Sequence, residues 1–382
     1  MQQLRAVYEG LGCRDVTTHL QSGNVVLRDD RTPEAVSTAA EAAIRRELGL
    51  DVADGHAAGR ALRGRGRLLK PLPQLRSSAA GYHRYTRGVS EEPTSQPDHV
   101  RPATAAEAAD VRAMHAANRA AWDEAAERYE GWLAEAIELI RGGGTNLFDA
   151  EVELIGDLHG RCRRAIHLQC AGGRDTLSLW NLGAEEVVGV DFSPRMLDLA
   201  ARLTAATGAP ARWIRSDVLD TPHELDGTGD LVYTGRGSLI WLHDLDAWAA
   251  VIVRLLSPRG RFVLFDGHPA EWLFDVDEEG RWIATDYDYF GGPEASKGWA
   301  REYIDRLSLD DADQSWKFAR AWTLGEVITA LLRADLRLER VTEHPIDWWG
   351  GHADVRDDER GRIPLSFSVV ARAGSPARDR VP

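Results

Sequence analysis

From residue 164 to residue 265, short apolar runs alternate with stretches of helical periodicity, and this alternation leaves the chain few folds to choose from. Strands are expected at 164–169, 186–190, 211–215, 230–234 and 260–265, with helices at 174–182, 194–207 and 244–257. A strand that is apolar on both sides must be covered on both faces, and strands linked through helices run parallel because no hairpin joins them. The pattern therefore predicts an α/β fold, a mainly parallel sheet between two helical layers. An alanine-rich helical stretch, 105–141, precedes it and is closed by three glycines at 142–144. A helix at 323–334 and strands at 336–343 and 364–371 follow.

In such folds chemistry collects at the carboxyl ends of the strands. Three blocks occupy those ends. In AIHLQCAGGRDT an apolar strand (Ala165 to Leu168) runs into a Gly-containing turn and a helix. In VVGVDFSPRM the strand ends in Asp191, about 20 residues after the turn, where a carboxylate can accept hydrogen bonds from ribose hydroxyls. In RSDV a strand (Ala211 to Arg215) ends in Ser216-Asp217, placed to meet the rim of a purine ring. The ordered set describes a nucleoside-binding edge.

The 382 residues exceed one average domain, and 43% apolar content is ample for a large core. A formal charge of −14 argues against general binding to nucleic acid or an anionic membrane. Cys13, Cys162 and Cys170 make no disulfide framework and show no zinc spacing, so no metal is expected. No run of 18 apolar residues and no signal pattern occurs, and a soluble, cytoplasmic protein is the expectation. Residues 1–54 read as helix (Gln2 to Gly10), strand (Asn24 to Leu27) and helix (Thr32 to Leu48). Their stretch LRAVYEGLGCRDVTTHLQSGNVVL resembles part of a small uncharacterised bacterial α/β family marked by LQSGNVV, which assigns no function. Residues 55–104, rich in Gly, Pro, Ser and Arg without periodicity, read as a linker, and 373–382 as a tail.

Residues 105–372 resemble the class I S-adenosylmethionine-dependent methyltransferases, in particular a small-molecule branch carrying HLQC in its first motif and VDFSP in its second. The resemblance implies a Rossmann-like seven-stranded sheet whose last strand is antiparallel and inserted between strands five and six. The methyl donor, S-adenosylmethionine, would lie across the carboxyl ends of the first four strands. The first motif departs from the common acid-x-Gly-x-Gly-x-Gly pattern: His167 replaces the acid, Gln169 the first glycine and Ala171 the second, while Gly173 keeps the third. The same resemblance gives Asp191 the ribose hydroxyls, sets Phe192 and Met196 beside the adenine, and assigns the adenine amine to Asp217 and a ring nitrogen to the Val218 amide. It makes Trp122 and Tyr129, which follow Asn118-Arg119, part of a lid whose aromatic faces attract the sulfonium. Thr234, opening the segment after the fourth strand, completes the expected donor contacts.

That segment, TGRGSLIWLH, lacks the Asn-Pro-Pro-aromatic signature of nucleobase and amide N-methylation, and no Pro-Cys nucleophile is present. No cluster of acids suggests metal assistance. Direct in-line displacement by an oxygen, nitrogen or carbon of a small acceptor remains, with His243 and His268 as candidate bases. The aromatic-rich insert 269–322 is expected to cover the acceptor, with Trp241, Trp272, Tyr287, Tyr289 and Trp322 as its wall and Trp348-Trp349 as a further rim. Such walls suit an aromatic or apolar acceptor. Two other readings share the strand-turn-helix and acid: an NAD(P)-dependent oxidoreductase and a non-catalytic nucleoside-binding module.

Overall fold

The computed structural model describes Leu11, three N-terminal strands, and residues 100–374 apart from 301, 302, 305 and 306. The chain divides into two units, Met1–Ala80 and Gly81–Pro382. In the first, β1 (Arg14–His19), β2 (Asn24–Arg28) and β3 (Leu68–Pro71) form an antiparallel sheet in that order. Strand β3 lies within the stretch read as a linker; four residues ending in proline are too short to show a period. The helices expected at Gln2 to Gly10 and Thr32 to Leu48 lie outside the described residues.

The second unit opens with β4 (Val100–Pro102), also inside the expected linker. The alanine-rich helical stretch comprises three helices, α1 (Ala105–Ala108), α2 (Val111–Gly131) and α3 (Leu133–Arg141). Its breaks have local causes. Thr104 and Glu107 form a reciprocal capping box on α1, and the Asp110 side chain accepts from the Ala113 amide to start α2. After α4 (Asp149–Ile155) the alternation begins: β5 (Arg164–Leu168), α5 (Arg174–Asn181), β6 (Glu186–Asp191), α6 (Pro194–Thr207), β7 (Ala211–Arg215), β8 (Gly229–Thr234), α7 (Leu245–Leu255) and β9 (Leu256–Gly267). The insert carries the hairpin β10 (Phe274–Val276) and β11 (Trp282–Ala284), then β12 (Glu294–Ser296) and β13 (Lys317–Ala319). Helix α8 (Leu324–Arg333), β14 (Leu336–His344) and β15 (Ser366–Ala373) close the domain.

The main sheet has the order β14-β15-β9-β8-β5-β6-β7. Strands β5 to β9 pair in parallel, and β15 is antiparallel to both β9 and β14. This is the topology the resemblance implied, with the last strand inserted between the fifth and the sixth. Because side chains alternate along a strand, each strand feeds two cores. Ile166, Leu168, Val188, Val190, Val232 and Phe262 pack with Trp248, Ile252 and Leu255 of α7 and with Val327 and Leu331 of α8. The intervening Ala165, Val187, Leu231, Tyr233 and Val263 pack with Ile155, Leu177, Leu179 and Leu203 on the other face. Among the described residues, no helix is long and apolar enough to cross a membrane.

A second sheet, β13-β12-β4, roofs the carboxyl ends of the strands together with α2. Asn118 in α2 fastens this roof: its Oδ1 accepts from the Phe318 amide at 2.6 Å, and its Nδ2 donates to the Phe318 carbonyl at 2.9 Å. Glu124 and Glu127 add bonds to Ser315 and Ser308. Asn118→Leu would strand the buried Phe318 amide and leave its carbonyl with His243 alone, so a loss of about 1–3 kcal/mol is expected, read as a lower urea midpoint.

Candidate functional site

The loop after β5 is the first part of the site. Gln169, Ala171 and Gly173 have φ of 58°, 43° and 80°, so each position of the glycine pattern is left-handed even where glycine is missing. Non-glycine residues held in this region cost on the order of 1 kcal/mol each and persist where the surroundings enforce them. Two bonds do so here. The Gln169 amide donates to the Ser238 carbonyl at 2.9 Å, and the Ala171 N–H donates to Asp191 Oδ2 at 2.8 Å. At Gly173 a Cβ would come within 2.5 Å of the Trp213 ring and 2.8 Å of Ala200, so only glycine lets α5 start this close to β7 and α6.

Asp191 ends β6 and is buried. Its Oδ1 accepts from the Ser193 amide at 2.9 Å, so each oxygen holds one backbone N–H and keeps lone pairs for another donor. Burial pushes its carboxyl up to about 6, against the pull of the Ser193 and Ala171 amides. Ser193 also caps α6, accepting from the Met196 amide, with Pro194 at the first helical position and Gly208 at the end. The Ser193 hydroxyl donates to Asp123 of α2 at 2.6 Å, tying the roof to this edge.

At the end of β7, Asp217 is not a free acid. Its Oδ2 lies 2.7 Å from His115 Nδ1 and 3.3 Å from Arg112, and its Oδ1 accepts from the Leu219 amide. Burial works to raise this carboxyl, but His115, the Leu219 amide and Arg112 outweigh it and hold it below the ordinary value. Sequence reasoning passed over His115, since nothing local marks a histidine on α2 as the partner of an acid after β7.

Between β5 and β8 lies an ionic group the sequence did not reveal. Arg236 donates to Asp175 Oδ2 at 2.8 Å and sits 3.5 Å from Glu151. Asn146 donates to the other Asp175 oxygen at 2.5 Å, and the Tyr233 hydroxyl donates to Glu151. Burial raises Asp175, yet Arg236 and Asn146 outweigh it and keep the carboxyl below its usual value. Glu151 is pushed up to about 7 by burial. His167, where the acid of the common pattern would stand, bonds Thr176 at 2.8 Å and is lowered by burial to about 4, so it is a neutral ring. Asp266 at the end of β9 accepts from the amides of Gly237, Ser238, Leu239 and Gly267 and so shapes the loop beside Arg236.

One cavity of about 360 Å³ joins these parts, within the range of small-ligand sites. Of the expected donor contacts, Trp122, Tyr129, His167, Gln169, Ala171, Gly173, Asp191, Phe192, Met196, Asp217 and Val218 line it. Thr234 does not: it is wholly buried at the end of β8, beside the wall and outside it. The roof aromatics meet edge to face, Trp122 lying 5.5 Å from Trp241, 4.9 Å from Trp299 and 6.3 Å from Tyr303. Trp241 is the one expected acceptor-wall residue that reaches the cavity, where Tyr303, Trp348 and Trp349 accompany it. Trp272 instead packs between Trp349 and Tyr287, Tyr289 packs on Phe290, and Trp322 donates to the Leu242 carbonyl.

Neither candidate base lines the cavity. His243 meets the Phe318 carbonyl at 3.3 Å, and burial lowers it to about 4. His268 uses both ring nitrogens, Nδ1 accepting from the Ala270 amide and Nε2 bonding Glu343 at 2.8 Å.

Comparison with known proteins bears on both units. A family model described as "Methyltransferase domain" matches residues 165–260, and one described as "Protein of unknown function (DUF1697)" matches residues 1–115. Demethylmenaquinone methyltransferase of Thermus thermophilus is 36% identical over 84 residues, covering 22% of this chain. The chain spans 37% of that relative's length. A solved S-adenosylmethionine-dependent methyltransferase from Mesorhizobium loti is 24% identical, covering 58% of this chain and 95% of its own, with a TM-score of 0.41. The CcbJ methyltransferase from Streptomyces caelestis is 19% identical, covering 61% and 92%, with a TM-score of 0.44.

Proposed function

We propose that this chain, which carries a class I S-adenosylmethionine-dependent methyltransferase domain, transfers a methyl group to a small aromatic or apolar organic acceptor by direct in-line displacement. The observation that carries the reading is one continuous cavity, with the Asp191-bound left-handed turn at its floor and the tryptophan roof above it. S-adenosylmethionine fits the donor set. The turn brings backbone close to a ligand, a buried acid with open lone pairs ends β6, and the buried oxygen of the Gln169 amide has no protein partner.

The bound cofactor supplies a methyl on a positively charged sulfur, already activated for transfer. Asp191 accepts from the ribose hydroxyls. Phe192, Met196 and Val218 wall the base. Arg236 and Asp175, already opposed in charge, receive the carboxylate and ammonium of the amino-acid end. Trp122, Tyr129 and Trp241 present ring faces to the sulfonium and exclude water, a contact worth about 1–2 kcal/mol when desolvated. The remaining work is positioning, holding the acceptor in line with the methyl. With His243 and His268 outside the cavity wall, the acceptor brings its own nucleophile.

Calorimetric titration separates this reading from its rivals. S-adenosylhomocysteine should bind one to one and NAD should give no heat, and radiolabelled methyl should pass to a member of a pooled set of small aromatic compounds. NAD binding would move the chain to hydride chemistry, and silence with both ligands would leave a module that binds neither.

A further inference from the structure

Glu151 is a buried carboxyl group that the donor-binding scheme leaves unused. It lies in the first turn of α4, is wholly buried and does not itself line the cavity. Its Oε2 accepts from the Phe148 amide at 2.8 Å and lies 3.5 Å from Arg236, and its Oε1 accepts from the Tyr233 hydroxyl. Arg236 does line the cavity; its Nη2 donates to Asp175 at 2.8 Å and to the Asn146 carbonyl at 3.2 Å, and its guanidinium lies 5.0 Å from the centre of the Phe148 ring. One guanidinium therefore stands between two carboxyl groups.

The donor brings a third. A carboxylate arriving at Arg236 would set three anions on one cation where little water can spread the charge, and a proton on one of them relieves this most readily. Asp175 is the poorer site for that proton: burial raises it, but Arg236 and Asn146 outweigh burial and keep it below its usual value. Glu151 is the better one, since burial pushes it up to about 7 against the pull of Arg236. The other groups around it leave it that part. Tyr233 on β8 donates to it, His167 on β5 is a neutral ring 4.8 Å from Tyr233, and Arg261 on β9 is engaged with the carbonyls at the far end of α4. We infer that Glu151 is a positioning residue for the donor's carboxylate: it holds Arg236 in the cavity wall and releases it by taking up one proton from solvent as that carboxylate binds. The inference rests on the S-adenosylmethionine reading above, in which Arg236 receives the amino-acid end.

The test compares S-adenosylhomocysteine with 5′-methylthioadenosine, which keeps the nucleoside and the sulfur but lacks the amino-acid end, by calorimetry from pH 6 to pH 8. The ratio of the two dissociation constants cancels whatever both ligands share, including the titration of Asp191. At pH 6 the wild-type chain should prefer S-adenosylhomocysteine by roughly 10- to 100-fold. Above the Glu151 value binding must also draw in a proton, so the preference should shrink by about 3- to 10-fold at pH 8. Glu151→Gln, neutral throughout, should hold the pH 6 preference across the range. If that variant does not fold, Tyr233→Phe decides: without the hydrogen bond that favours the ionised carboxylate, the midpoint of the curve should move to higher pH. A wild-type ratio flat in pH overturns the assignment, as does a slope that survives in Glu151→Gln, or a midpoint unmoved by Tyr233→Phe where the first variant is unfolded. Wild-type binding of both ligands alike removes this inference and the Arg236 contact but leaves donor binding, whereas wild-type failure to bind S-adenosylhomocysteine removes the methyltransferase reading.

Discussion

Asp191→Ala is expected to abolish measurable S-adenosylhomocysteine binding, a loss of at least about 100-fold by calorimetry. The carboxylate has two duties. It is the acceptor proposed for the ribose hydroxyls, and it also anchors the Ala171 and Ser193 amides at 2.8 and 2.9 Å. Removing it deletes the ligand bond and releases left-handed Ala171, leaving the Gln169–Ser238 bond alone to hold the turn. Asp191→Asn keeps the shape but points an N–H₂ at one of two donors, so a smaller loss of roughly 10-fold is expected. Full affinity in the alanine variant would remove Asp191 from the donor site.

The same carboxyl predicts a pH dependence. Its folded-state value of about 6 lies above that of the unfolded chain, so between about pH 4 and 6 the folded state takes up the proton first. For this group acidification adds stability, and stability is lost as pH rises through 6. Ligand affinity runs the other way, because the ribose acceptor is the ionised form. Titrations from pH 8 to 5 should therefore weaken below about 6 without unfolding from this group.

Arg236→Met should cost about 3–5 kcal/mol of stability and lower the melting temperature by roughly 10 °C. The penalty comes from what is left behind: buried Glu151 and half-buried Asp175 would lose the cation that opposes them. Arg236→Lys should recover only part of the loss, because one ammonium cannot span both carboxylates as the guanidinium does. A melting curve matching wild type in the methionine variant would show that the network carries no stability.

The sheet was legible because its signals are local. Each strand of the alternation and the cap Ser193-Pro194 sits in a few consecutive residues, and the ends observed fall close to those expected. Asp191 was readable for the same reason, as an acid at a strand end. Asp266 carries that very signal at the end of β9, yet it turns to backbone amides of the neighbouring loop, so the signal does not say what an acid will bind. The Arg236 group was not readable, since its members come from the segment before α4, α4 itself, α5 and the loop after β8. The aromatic insert misled for a related reason. Abundance of tryptophan marks a wall, but Trp272 and Trp322 turn to other partners while the unremarked Tyr303 lines the cavity beside the expected rim of Trp348 and Trp349. Strands β3 and β4 escaped because three or four residues among arginines and prolines have no period to detect.

The small sheet above the cavity draws one of its two edge strands from Val100–Pro102, ahead of every described helix of the domain, and its other two strands from the far side of β9. It is therefore not a cassette that recombination could lift out or swap by cutting at one place. A boundary drawn at residue 105 slices through hydrogen-bonded pairs and bares a raw edge, so the smallest heritable unit that keeps its cover begins upstream of the first helix.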